Sequence, residues 1–361
     1  MDKQQTLWRI EPHTLAKHEI LDRYLGAWFA ILGSTNRRIV YLDGFCGPGK
    51  YLNGEPGSPI IALKKAMNHQ APLSNTECVF LFIDERSDRV DHLCHEIDLL
   101  APPSNFTIDA RVGEFRAVIS ELLAYLEQNT FRLAPTFAFI DPFGWKGLPF
   151  DLVRRLLRNQ HTEVLINFMA DSINRFVEHP DTAIQEHFVE LFGTKEVFDV
   201  ASKATDRLSA LRNLYQKQLL TQAKYVRYFE MRDQHGRPIY YLFFASNHPL
   251  GHSKMKEAFW KVDPTSGFTF SDGTNPDQLV LFSLDPTEDL AALLKRHFAG
   301  TTVTSDLIVE FVLDETAFIE THAKKALRIL EERGSIQVNP FKVDGTKRTR
   351  GFPKGVKIRF L

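Results

Sequence analysis

A chain of 361 residues, 43% of them hydrophobic, is long enough for about two domains and a sizeable core. Its 44 basic and 45 acidic side chains leave a net charge of −1, which excludes a global field drawing it to nucleic acid or membrane, so any basic partner surface must be local. Three cysteines without C-x-x-C spacing argue against a disulfide framework or a cysteine metal site and fit free thiols in a reducing cytoplasm. No signal-peptide pattern opens the chain and no apolar run nears the ~18 residues of a membrane span, so a soluble intracellular protein is expected. The 29 phenylalanines imply a Phe-rich core.

In chain order, Ile20, Leu21, Tyr24, Leu25, Trp28, Ile31 and Leu32 recur at helical spacing, with Thr14 as the expected N-cap. Lys17 and His18 fall in the first turn, where cations oppose the helix dipole; they either reach a ligand or are solvated surface. Residues 39–43 read as a buried strand running into a loop with Gly44, Gly47 and Gly49. Glycines at a strand end let backbone approach a ligand closely, because no Cβ intervenes and positive φ is allowed. The next helix starts at Ser58-Pro59, an N-cap followed by proline. The intervening loop of about fourteen residues is long enough to be functional. It is neither a dinucleotide fingerprint, which opens a helix at once, nor an NTPase phosphate loop, since G-x-x-x-x-G-K-[ST] is absent.

Residues 77–83 form a second strand ending in Asp84-Glu85, a position where a carboxylate accepts hydrogen bonds from ribose hydroxyls. Capping the helix over 87–99 is the plainer use of one of the two. A third strand over 106–110 precedes Glu114 and a helix over 116–127. A fourth strand, 136–140, stops at Asp141-Pro142-Phe143-Gly144-Trp145, and a fifth covers 163–168 after a helix at 150–157. Five strands alternating with helices predict a parallel, doubly wound α/β sheet. Residues 172–217 read as an inserted or lid-like helical segment, and 225–232 with 239–246 as an antiparallel hairpin.

The stretch 263–288, rich in Pro, Gly, Ser, Thr and Asp, reads as a linker. Helices over 289–298, 305–314 and 317–333, then strands over 335–338 and 356–361, describe a winged helix. From Phe341 to Leu361 the local charge is +6, and Lys347, Arg348, Arg350 and Lys354 are the expected phosphate contacts. A protein-binding wing is the alternative.

The blocks D-G-F-x-G-P-G-x-Y, G-S-P, I-D-P-F-G and Y-Y-L-F-F-A-S-N-H-P, with H-T-x-x-K-H at His13 to His18, resemble the three-Cys-motif partner protein family (TcmP) from about Trp8 to Val262. That family usually has alanine where Cys46 stands. The resemblance implies a class I methyltransferase-like, Rossmann-like domain over 1–262, a linker over 263–288 and a winged helix over 289–361. It also implies S-adenosylmethionine as cofactor and a partner protein with a three-cysteine, radical-enzyme-like motif. By position, Asp43, Gly44, Phe45, Gly47 and Gly49 would border the methionine moiety, Asp84 or Glu85 would hold the ribose, and Glu114 would meet the adenine amine. The terminal hairpin after parallel strands is the methyltransferase variant of the sheet by family association.

In amino-methyltransferases acting on bases, a [DNS]-P-P-[YFW] motif stands at the end of the fourth strand. Its first side chain accepts from the exocyclic amine and its aromatic stacks on the flipped base. Asp141 and Pro142 match that motif, and Phe143 and Trp145 are the stacking candidates; the second proline is missing. Lys17, Lys146 and Arg111 are candidates for holding phosphate or the cofactor carboxylate. The expectation is a methyltransferase acting on nucleic acid. A non-catalytic nucleic-acid-binding or partner-recognition subunit of the same fold is the alternative, and a dehydrogenase is disfavoured by the loop.

Overall fold

Short runs rich in β-branched and aromatic residues, each closed by a turn, form five strands: β1 (Arg38–Asp43), β2 (Glu77–Asp84), β3 (Phe106–Val112), β4 (Thr136–Ile140) and β5 (Thr162–Phe168). Every residue of β4 and β5 is buried, the mark of central strands covered on both faces. This computed structural model describes residues 5–69, 73–144, 147–273, 285–342, 345–348 and 351–361. The chain divides into two compact units, Met1–Ala258 with Thr269–Asn275, and Phe259–Phe268 with Pro276–Leu361. Among the described residues no helix is long and apolar enough to cross a membrane.

The first unit is an eight-stranded sheet of order β3-β2-β1-β4-β5-β7-β6-β8, with β6 (Tyr225–Arg232), β7 (Pro238–Ser246) and β8 (Thr269–Ser271). β1 to β5 run parallel, β7 is antiparallel to β5, and β6 and β7 pair as the expected hairpin. Asp233 turns that hairpin by accepting the N–H groups of His235 and Arg237 at 2.8 and 2.9 Å. Strand order reverses between β1 and β4, which opens a crevice at their carboxyl ends. The class is therefore α/β, a Rossmann-like sheet closed by an antiparallel hairpin, and the phenylalanines fill its core: Phe80, Phe82, Phe137 and Phe139 are buried.

Helix α1 (Pro12–Gly33) begins two residues before the predicted cap, because Pro12 presets the first-turn backbone. Then follow α2 (Ser58–Met67), α3 (Ser87–Leu100), α4 (Phe115–Gln128) and α5 (Phe150–Leu157). The segment read as inserted or lid-like is α6 (Ala170–Phe176), α7 (Thr182–Phe192), α8 (Glu196–Lys203) and α9 (Arg207–Leu220). It is no lid: Phe192 and Tyr215 are fully buried, with Tyr215 4.7 Å from the ring of Phe168 on β5. These helices cover one face of the sheet and share its core.

The stretch read as linker also carries structure. After α10 (Pro249–Val262), the Asp263 carboxylate accepts the N–H groups of Thr265 and Ser266 at 3.0 and 3.1 Å, and Thr269–Ser271 then adds β8 in parallel to β6. Three residues are too few to show a period. The sheet's two edges are thus β8, three residues long, and β3, which carries an exposed Asp109–Arg111 ion pair at 2.6 Å.

The second unit contains α11 (Pro286–His297), β9 (Thr302–Thr304), α12 (Ser305–Glu315), α13 (Glu320–Glu332), β10 (Ile336–Lys342) and β11 (Val356–Phe360), with the sheet order β10-β11-β9. Asp285 caps α11 by accepting Thr287 N–H at 3.0 Å, so the helix starts earlier than the predicted residue 289. Leu290, Leu294, Ile308, Leu327, Val356 and Ile358 make its core, and the fold is a winged helix.

Candidate functional site

Beyond Asp43 the chain leaves the sheet by bonding to β1's neighbours: Gly44 N–H donates to Phe139 C=O and Cys46 N–H to Ile83 C=O, both at 2.9 Å. Gly47 and Gly49 have φ of +62° and +77°, where side chains are strained, and Gly47 N–H donates to Asp84 Oδ2 at 3.1 Å. Gly44 serves differently, since a Cβ there would lie 2.5 Å from the buried Phe115 ring. Packing against Phe115 therefore requires glycine at this position.

The loop from Phe45 to Tyr51 forms one wall of a cavity of about 200 Å³ at the strand-order reversal. The other walls are His13, Lys17 and His18 of α1, Asp141, Pro142 and Phe143 after β4, Asn167 on β5 and Tyr240 on β7. Lys17 Nζ pairs with Asp141 Oδ2, and Asn167 Nδ2 donates to Asp141 Oδ1 at 2.5 Å. The Lys17 ammonium also lies 5.2 Å from the Tyr240 ring centroid. Its early place in α1, poor for the helix dipole, is thereby explained. His13 is held between Asp272 at 2.8 Å and Glu11 at 2.9 Å, while Tyr240 donates to its backbone carbonyl at 3.0 Å. Burial, with Lys17 beside it, lowers the His18 imidazole to about 3, so the ring is neutral at pH 7.

Asp43 is fully buried beneath the loop, where it accepts from Tyr41 Oη at 3.3 Å and Phe45 N–H at 3.4 Å. Burial pushes its carboxyl up to about 7; Ser58 and the Phe45 N–H act the other way, and Asp141 adds a smaller raising contribution.

Among the expected site residues, Phe45, Gly47, Gly49, Asp141, Pro142 and Phe143 border the cavity. Asp43 and Gly44 lie behind its wall. Asp84 is buried, with its oxygens taken by Gly47 N–H and by Arg86 N–H at 2.9 Å, so it shapes the loop and does not line the cavity. Glu85 and Glu114 are exposed and stand away from it, and Arg111 is paired with Asp109 on the β3 edge. Trp145, Lys146 and Arg350 lie outside the described residues.

Sequence reasoning missed Asn167, Tyr240, Trp8 and Arg89. The Trp8 ring meets Tyr51 and Phe143 edge-on at 5.6 and 5.9 Å, and the Arg89 guanidinium sits 4.9 Å from Trp8 and 5.3 Å from Phe143. A polar asparagine inside an apolar strand was the one signal available for Asn167.

In the winged helix, Lys347 and Lys354 are exposed. Arg348 is not a free phosphate contact: its guanidinium grips Glu331 with two bonds of 2.9 and 3.1 Å and lies 5.0 Å from the Phe352 ring. It fastens the wing to α13. The exposed bases that counting missed are Lys325 and Arg328 on α13, with Lys324 beside them in an exposed ion pair with Glu320 at 2.5 Å, opposite buried Ala323, Ala326, Leu327 and Leu330.

Residues 267–341 match the family described as the GMT-like wHTH domain. Solved structures similar to the chain include a protein from Legionella pneumophila, 15% identical, covering 66% of this chain and 85% of its own with a TM-score of 0.37. Another is an O-methyltransferase from Bacillus cereus in complex with S-adenosylhomocysteine, 14% identical, covering 66% and 82% with a TM-score of 0.36. No curated protein matches the sequence.

Two outcomes follow from the loop. Gly44→Ala should cost about 1–3 kcal/mol in denaturant melts, the range for overpacking a rigid core contact. Asp43 has a folded-state pKa above its unfolded value of 3.8, so its contribution to stability is full at low pH and is lost as pH rises toward about 7. The thermal midpoint of Asp43→Asn should therefore gain on the parent's steadily between pH 4 and 7.

Proposed function

We propose that the chain is an S-adenosylmethionine-dependent methyltransferase acting on an exocyclic base amine of nucleic acid. The observation that supports this reading most is that the glycine loop after β1 and the Asp141-Pro142-Phe143 turn after β4 border one cavity. The charges around the cavity suit a sulfonium: Asp141 and the backbone of Phe45 to Gly49 border it, and the Asp43 carboxyl lies just behind that wall, close enough to Asp141 for the two to influence each other. When bound, the cofactor supplies a methyl on a cationic sulfur whose departure needs no acid. The protein's task is then alignment. Asp141, fixed by Lys17 and Asn167, orients the acceptor, and Phe143, 58% exposed, offers a face on which a base can stack. Asp84, buried behind the loop, takes no direct part in this reading and serves it by holding Gly47 in place.

The exposed bases of α13 with Lys347 and Lys354 suit phosphates, so the winged helix is the part we assign to the nucleic-acid backbone. The sequence resemblance supports a three-Cys-motif protein as partner. A second reading, a recognition subunit without catalysis, draws on Trp8, whose ring lies 3.7 Å from where a Cβ on Gly47 would stand and is itself covered by the Arg89 guanidinium.

Calorimetry with S-adenosylmethionine and S-adenosylhomocysteine tests the cofactor, and absence of heat with both would remove the enzyme reading. Since a sulfonium favours ionised Asp43, S-adenosylmethionine should bind more tightly as pH rises from 6 to 8, with S-adenosylhomocysteine unchanged and Asp43→Asn flat for both. Labelled methyl transfer to single and double strands then reads the reaction. For the winged helix, replacing Lys324, Lys325 and Arg328 with alanine should flatten the salt dependence of binding by about 0.7–0.9 for each phosphate no longer neutralised. Equal slopes would assign that face to another partner.

A further inference from the structure

Two buried polar atoms on residues bordering the cavity have no partner in the protein, His18 Nδ1 and Asn167 Oδ1. Leaving such an atom unpaired costs about 1–3 kcal/mol, which a native site tolerates where a ligand completes it. The amide orientation of Asn167 is dictated by its neighbour. The Asp141 carboxylate only accepts, so Asn167 must turn its NH₂ toward it, and that contact, at 2.5 Å, leaves the amide carbonyl over. The other Asp141 oxygen is held by Lys17. Asp141 is therefore gripped on both sides, and Asn167, itself only 4% exposed, owns the unused acceptor.

We propose that Asn167 Oδ1 accepts an N–H of the target amine, that Asp141 is the positioning residue which sets the amide, and that Lys17 Nζ donates to the ring nitrogen beside that amine. This rests on the amine-methylation reading above and narrows its substrate. Adenine and cytosine present an amine next to a ring-nitrogen acceptor on their Watson–Crick edges. Guanine presents its amine next to N1–H, a donor facing the Lys17 donor. The cavity thus suits adenine or cytosine and rejects guanine.

The test uses the full chain, with S-adenosylhomocysteine present, and thymidine oligonucleotides carrying one central adenine, cytosine, guanine or amine-free purine. The parent should bind the adenine or cytosine strand about tenfold more tightly than the guanine and purine strands, the scale of one good base contact. Asn167→Ala should lose that preference while keeping its S-adenosylhomocysteine affinity and its salt slope. Should Asn167→Ala fail to fold, Asn167→Leu, which keeps the side chain's shape and removes its acceptor, makes the same comparison. A parent without the preference, or a variant that retains it, overturns the assignment. Failure of the enzyme reading is separate: it shows as no cofactor binding and no methyl transfer by the parent, whereas transfer to an amine with an indifferent Asn167 overturns this inference alone.

Discussion

The partly buried Lys17–Asp141 ion pair joins residues 124 positions apart and ties the first helix across the carboxyl ends of the central strands. Removing two charges from water costs several kcal/mol per ion, and mutual attraction offsets this only when further hydrogen bonds satisfy the pair. Asn167 and the Tyr240 ring supply that support here. The apolar face of α1, with Tyr24 and Trp28 against Phe137, seats the helix on the sheet, and the Lys17–Asp141 pair fixes its first turns at the cavity. Loss of Lys17 would leave the Asp141 charge without its cation near Asp43, already a carboxyl that burial disfavours as an anion.

Glycines in one motif do different work. Gly47 and Gly49 supply backbone angles that other residues avoid, while Gly44 makes room for Phe115. Asp84, which a strand-end rule assigns to ribose, spends its oxygens on the loop itself. The loop is thus built from within before it meets anything else. This separation between shaping residues and bordering residues is set by side-chain direction, to which spacing along the chain is blind.

Much of the fold could be read from the sequence because its strands are short apolar runs closed by turns; β4 coincides with the predicted 136–140. β8 and β9 escaped, being three residues each and defined only by their neighbours. At the site, the residues carried by contiguous motifs were legible: the Phe45 to Gly49 loop and Asp141. Lys17 was conspicuous only by its poor place on a helix, and Asn167 and Tyr240 join it solely through the folding of distant segments. In the winged helix a tally of bases could not distinguish Arg348, consumed by Glu331, from Lys325 and Arg328 on the outer face of α13.

The sheet's borders have a consequence for how this molecule coexists with copies of itself. With a net charge of only −1, long-range repulsion does little to keep copies apart. An eight-stranded sheet ending in a long, bare strand would invite intermolecular ladder formation. One border is instead cut to three residues and the other studded with an ionised couple, Asp109 with Arg111, so that self-templating is discouraged locally where electrostatics at a distance offers no protection.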